Sequence, residues 1–139
     1  MPKPRPLVVH FFKTDTGNEP VRKWLRGLPP EEKAIIGADI KIVQWKWPMG
    51  LPLVDSFGHG LWEVRSALDH RIARVFFILV DEEIILLHGI IKKSQTAPSQ
   101  DVALARKRQS EYVQLIGQLN ENKGTTKKSE KKRKSPPGK

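Results

Sequence analysis

Glu63, Arg65, Arg74, His88, Lys92 and Lys93 are the side chains best suited to chemistry, and all sit within or at the ends of otherwise apolar runs. A core alone does not call for Arg and Lys there, because they are rarely buried without partners. A guanidinium is a planar fork that bonds two phosphate oxygens at once, so Arg65 and Arg74 are the leading phosphate ligands. The alternative for either is an ion pair with Glu63 or another acid across the sheet. Glu63 is placed to act as a general base, or only to orient an arginine. Imidazole titrates near neutrality, which makes His88 a candidate acid, although on an apolar strand a structural histidine is the commoner role. Lys92 and Lys93 close the last apolar run, where a solvated strand end is the alternative to an anion contact.

The elements that must position these groups are strands. Leu61–Arg65, Arg71–Val80 and Ile84–Ile91 are rich in β-branched and aromatic residues, and turn signals or acids separate them. Such runs in close succession predict antiparallel neighbours. Period-two alternation puts Glu63 and Arg65 on one face, opposite Trp62 and Val64. It groups Ile72, Arg74, Phe76 and Ile78 opposite Ala73, Val75, Phe77 and Leu79. In the third strand it assigns Ile84, Leu86, His88, Ile90 and Lys92 to a single face.

Upstream, Leu7–Lys13 reads as a first strand after a loose, Pro-rich Met1–Pro6. Thr16 or Asn18 can cap a short helix, with Pro20 in its first turn and Val21, Trp24, Leu25 and Leu28 at helical spacing. Pro29–Pro30 ends it. Glu31 and Glu32 favour the start of a second helix, whose apolar stripe reads as Ala34, Ile35, Ala38, Ile42 and Trp45. That helix stops before Pro48–Gly50, and Leu51–Phe57 is extended. Downstream, Pro98–Leu119 is partly periodic and reads as a helix. The order predicts an α+β domain, with an N-terminal strand and a helical hairpin packed on a small antiparallel sheet, then a C-terminal helix. The helices are expected on one sheet face.

Composition bounds the partners. Of the formal charge of +10, residues 120–139 carry eight Lys/Arg against two Glu, so the tail holds more than half. That segment is too polar to offset its chain entropy and is expected to be disordered, leaving residues 1–119 as the domain. A basic balance favours nucleic acid first and an anionic membrane surface second. The chain has no cysteine, which excludes disulfides and thiolate chemistry. No apolar run approaches a membrane span and no signal peptide is evident, so a cytoplasmic location is expected.

The motifs LWEVR (61–65), RIARVFF (71–77), LLHGIIKKSQTAP (86–98) and ALARKRQSEY (103–112) together resemble phage-derived HigB-like toxins of the RelE/ParE superfamily. LPPEEKA (28–34) is similar to the helical hairpin of that family, and the resemblance spans about residues 7–115. It implies a RelE-like fold and a compact toxin that cleaves mRNA on the ribosome without metal or other cofactor. It also implies a cognate antitoxin, commonly with a helix-turn-helix DNA-binding domain. By resemblance, Arg65 and Arg74 fall on catalytic basic positions, and Lys92 or Lys93 on the position that contacts the scissile phosphate. Arg71, Arg106 and Arg108 are candidate outlying RNA contacts, with an exposed, solvated helix face as the plainer reading of the last two. The chain departs from the family at Ala73 and Phe77, where members often carry Tyr.

Two other classes stay open. One is a ParE-like toxin that binds a topoisomerase; the other is a nucleic-acid-binding module with an inactive site. Fold does not decide among them, because function lives in the site.

Overall fold

The computed structural model describes residues 5–127, and side chains as far as Leu119. Residues 1–4 of the N-terminal segment expected to be loose, and residues 128–139 of the basic tail expected to be disordered, lie outside the described residues. The chain divides into two compact units, Met1–Gln109 and Ser110–Lys139.

The first unit is built on a five-stranded sheet. Its strands are β1 (Val8–Phe11), β2 (Val54–Gly58), β3 (Leu61–Leu68), β4 (Arg71–Val80) and β5 (Glu83–Lys92), in the spatial order β1-β5-β4-β3-β2. β2 to β5 form an antiparallel meander, as close-spaced strands should. β1 instead lies parallel to β5, so the sheet is mixed rather than purely antiparallel. The meander turns at His70 and Asp81, both in the left-handed region with φ near 58° and 57°. The architecture is α+β and consistent with the RelE-like fold the sequence implies.

Helices α1 (Pro20–Arg26) and α2 (Pro30–Lys46) form the hairpin. Each begins with a proline in its first turn, where the missing N–H costs nothing. The residue preceding α1 is Glu19, not Thr16 or Asn18; those two close a local turn with Thr14 instead. Val21, Ile36, Ile40 and Val43 from this hairpin pack on Val54, Val64, Val75, Phe77, Ile84 and Leu86. Trp47 wedges edge-on between Trp62 and Phe77, with ring centroids 4.9 and 5.7 Å away. Trp24 of α1 lies against Gly89, where a Cβ would come within 2.4 Å of its ring.

The apolar stripe of α2 faces the other way from its expected direction. Ile36, Ile40 and Val43 are buried, while Ile35, Ile42 and Trp45 are 40, 40 and 52% exposed. The helix carries apolar residues on two faces, and the i, i+4, i+7 set at 36, 40 and 43 wins the core.

α3 (Ser99–Lys127) runs beyond Leu119. Its first turns, within the first unit, cover the opposite sheet face. Asp101 bonds His88, Arg106 donates to the carbonyls of Phe57 and Gly58, and Gln109 donates to His59 O at 2.7 Å. Ala105 is fully buried there. The helices thus sandwich the sheet rather than share one face. In the second unit Val113, Leu115 and Leu119 are exposed. Among the described residues, no helix is long and apolar enough to cross a membrane.

Candidate functional site

The face under the first turns of α3 carries the polar groups. Arg65 of β3 stands opposite Arg74 of β4, and Glu63 opposite Phe76. Alternation therefore brings Glu63, Arg65 and Arg74 to one side, as the sequence predicts. The result is a buried cluster. Glu63 and Arg74 are 0 and 1% exposed, while Arg65 keeps 24% of its side chain in solvent.

The bonding is specific. Arg74 Nη1 donates to both oxygens of Glu63, at 3.2 and 3.1 Å, and Arg74 Nη2 donates to Ser94 O at 2.7 Å. Arg65 Nε is 3.8 Å from Glu63 Oε1, an ionic contact too long for a hydrogen bond. Arg65 Nη2 donates to Gln95 O at 3.5 Å. Arg65 Nε and Arg74 Nε are both buried and unpartnered. Burial pushes the Glu63 carboxyl above its ordinary value, and the Arg74 hydrogen bonds and the charges of Arg74 and Arg65 partly offset this. Asp55, opposite Glu63 on β2, adds to the upward shift.

In this geometry Arg74 and Glu63 take the alternative roles that their sequence context leaves open. Arg74 is enclosed in an ion pair, the alternative weighed for it above, and presents no open face to a ligand. Glu63 is equally enclosed, so in this state it holds arginines rather than a proton from substrate. Arg65 is the arginine of the pair that reaches solvent.

A β-bulge separates the halves of β5. His88 pairs with Phe76 but Leu86 pairs with Phe77, leaving Leu87 as the extra residue. Ile84 and Leu86 therefore face the hairpin, while His88 faces α3 with Arg74 and Phe76, so the five residues assigned to one face are divided. His88 stacks on Phe76 and its Nε2 lies 2.7 Å from Asp101 Oδ1. Asp101 was not among the sequence candidates. Its place in the first turn of α3 was visible, but its contact with β5 depends on a packing no local pattern encodes.

Lys92 pairs with Ile72 at the end of the sheet, and it and Lys93 are exposed. The remaining basic candidates are elsewhere. Arg71 lies on the hairpin face, paired with Glu32 of α2, because it is an odd number of residues from Arg74. Arg106 and Arg108 are not simply solvated: Arg106 holds the β2 end, and Arg108 Nη1 donates to Leu87 O at 2.8 Å. All three are engaged in holding elements together.

Residues 23–110 match the family model for the phage-derived protein Gp49-like (DUF891), which takes in more than half of the chain. The chain belongs to the Gp49-like family. That family is associated with toxin–antitoxin systems, which implies an antitoxin as partner. No curated protein matches the chain. The part of this Gp49-like chain that matches runs from α1 into α3 and includes Glu63, Arg65, Arg74, His88, Lys92, Lys93 and Asp101. β1 lies outside the match.

Proposed function

We propose that this Gp49-like chain is the toxin of a type II toxin–antitoxin module, a metal-independent endoribonuclease that cuts mRNA on the cytoplasmic ribosome and so blocks translation. The observation that carries this reading is the convergence of Arg65 and Arg74 on one sheet face, with Lys92 and Lys93 at its end. The HigB-like and RelE-like motifs in the same strands support it.

In such a cleavage the ribose 2′-oxygen bonds to phosphorus and the bond to the 5′-oxygen breaks. One proton leaves the 2′-hydroxyl and one reaches the departing oxygen. The pentavalent transition state gathers charge on its oxygens, so donors that are already oriented stabilise it more than the ground state. Arg65 is the phosphate ligand, and Lys92 or Lys93 draws in the adjoining backbone. Glu63 holds Arg65 and Arg74 on that face. His88, oriented by Asp101, is the candidate proton donor. The partner that silences the chain is a cognate antitoxin, by resemblance one with a helix-turn-helix DNA-binding domain.

One observation favours a second reading. Arg74 and Glu63 bond each other in the core, as they would in a ParE-like toxin that binds a topoisomerase and needs no phosphate ligand, or in an inactive binding module. Mapping RNA 5′ ends after brief induction separates the three. Ends clustered within translated codons support the nuclease. Intact RNA with topoisomerase-type DNA breaks supports the ParE-like reading, and intact RNA and DNA with RNA retained on the protein supports the inactive module.

A further inference from the structure

We propose that Arg65 and Arg74 form a closed phosphodiester site and that the segment Ser94–Thr96 is its cap, with its carbonyls standing where phosphate oxygens bind. The inference rests on the nuclease reading for its biological sense; charge and hydrogen bonding define the site itself.

Two consecutive carbonyls occupy two arginines. Ser94 O accepts from Arg74 Nη2 at 2.7 Å, and Gln95 O accepts from Arg65 Nη2 at the longer distance of 3.5 Å. The cap leaves the site under-filled, because Arg65 Nε and Arg74 Nε are buried without any acceptor. An unpaired buried donor is costly, and two of them side by side on paired strands call for an acceptor with several oxygens. A tetrahedral phosphodiester offers that.

The charges point the same way. The cluster holds two guanidinium ions and one carboxylate, that of Glu63. Asp55 faces Glu63 from β2, but it is half-exposed and its Oδ1 already accepts from Ser56 N. The second positive charge, on Arg65, has only the 3.8 Å contact with Glu63 and the solvent at its exposed quarter to balance it, and neutral carbonyls add no countercharge. A monoanionic phosphodiester balances it, and charge-assisted bonds to it are about twice as strong as those to a carbonyl.

The cap is built to move. Residues 94–96 belong to no helix or strand and are exposed. The side-chain bond that shapes the segment runs from Ser94 Oγ to Thr96 O at 2.9 Å. Segments held by few buried contacts open at low cost. Lys92 and Lys93, immediately before the cap, are exposed and able to attract a polyanion to it.

The test uses the full chain with two probes, inorganic phosphate and a 2′-O-methyl trinucleotide that cannot be cleaved. The Arg65 and Arg74 Nε–H resonances and the amides of residues 94–96 are followed by NMR. The trinucleotide should shift both Nε–H signals and expose the 94–96 amides to exchange. Inorganic phosphate doing the same with equal affinity would identify the ligand as the free anion and overturn the phosphodiester assignment. Ser94→Ala, which loosens the cap, should raise trinucleotide affinity about three- to tenfold, the equivalent of one weak hydrogen bond. Arg65→Ala should abolish the shift at Arg74. Trinucleotide binding with both Nε–H signals unmoved would show that the segment is fixed structure and the site does not exist. A shift of both signals in a chain that cuts no RNA keeps the capped site and removes the nuclease reading.

Discussion

Arg65 and Arg74 are direct cross-strand partners, and both guanidiniums turn to the single carboxylate of Glu63. Like charges opposite one another destabilise a strand pair. Here Glu63, two residues before Arg65 and on the same face, supplies the countercharge. The three residues act as a unit, so the consequence of altering one depends on which partner is left alone.

Removing Arg74 leaves Glu63 buried beside only the ionic contact from Arg65. Arg74→Met is expected to cost about 3–5 kcal/mol at neutral pH, as for a broken buried pair. Replacing both, Glu63→Leu with Arg74→Met, should recover most of that loss, because well-packed apolar residues commonly match or exceed a buried ion pair. Urea denaturation of the two variants measures this. A single variant as stable as the parent would mean that the pair does not hold the strands.

The raised Glu63 carboxyl gives a pH dependence of known sign. The folded chain holds its proton above the ordinary value of 4.5, so in the window just above that value it binds more protons than the unfolded chain. Stability from this group is present below about pH 4.5 and declines as pH rises through the elevated folded value. Glu63→Gln has no proton to lose and should flatten that segment of the pH–stability curve. An identical slope in parent and variant would assign the effect to another group.

Gly89 is the contact point between β5 and α1. A Cβ there would lie 2.4 Å from Trp24 Cε3 and Cζ3, far inside van der Waals contact. Gly89→Ala should force the indole off the sheet, cost about 1–3 kcal/mol by overpacking, and shift tryptophan fluorescence. Unchanged thermal stability would show that α1 slides without penalty.

The strands were legible because their chemistry is local. β4 runs over Arg71–Val80, the span its apolar composition marks, and alternation alone puts Glu63, Arg65 and Arg74 on one face. What was not legible depends on distant contacts. β1 joins β5 in parallel from the far end of the chain, and no turn announces that pairing. The bulge at Leu87 resets the faces of β5, and the strand's one glycine, Gly89, falls two residues beyond it. α2 has two apolar faces, and periodicity cannot say which one meets a sheet. The role of Arg74 was undecided for a related reason: a charge on an apolar strand is equally a ligand or half of an ion pair until the depth of Glu63 is known.

Depth separates the two arginines. Arg65 retains a solvent-exposed quarter of its side chain, has an unpartnered Nε, and contacts Glu63 only at 3.8 Å. Arg74 is enclosed and bonds both oxygens of Glu63, at 3.2 and 3.1 Å. Induced alone, the parent chain should arrest growth by blocking translation, and its cognate antitoxin should relieve the arrest. Arg65→Ala should abolish that toxicity while the protein stays folded and still binds the antitoxin, since a lost transition-state donor costs about 2.7–4 kcal/mol, or 10²–10³ in rate. Arg65→Lys should restore little, because a point charge does not reproduce a planar fork. Arg74→Ala should lose toxicity together with stability, and its melting temperature should fall where that of Arg65→Ala does not. A folded, fully toxic Arg65→Ala would remove Arg65 from the reaction, and a stable but inactive Arg74→Ala would show that Arg74 acts on the phosphate without holding the fold.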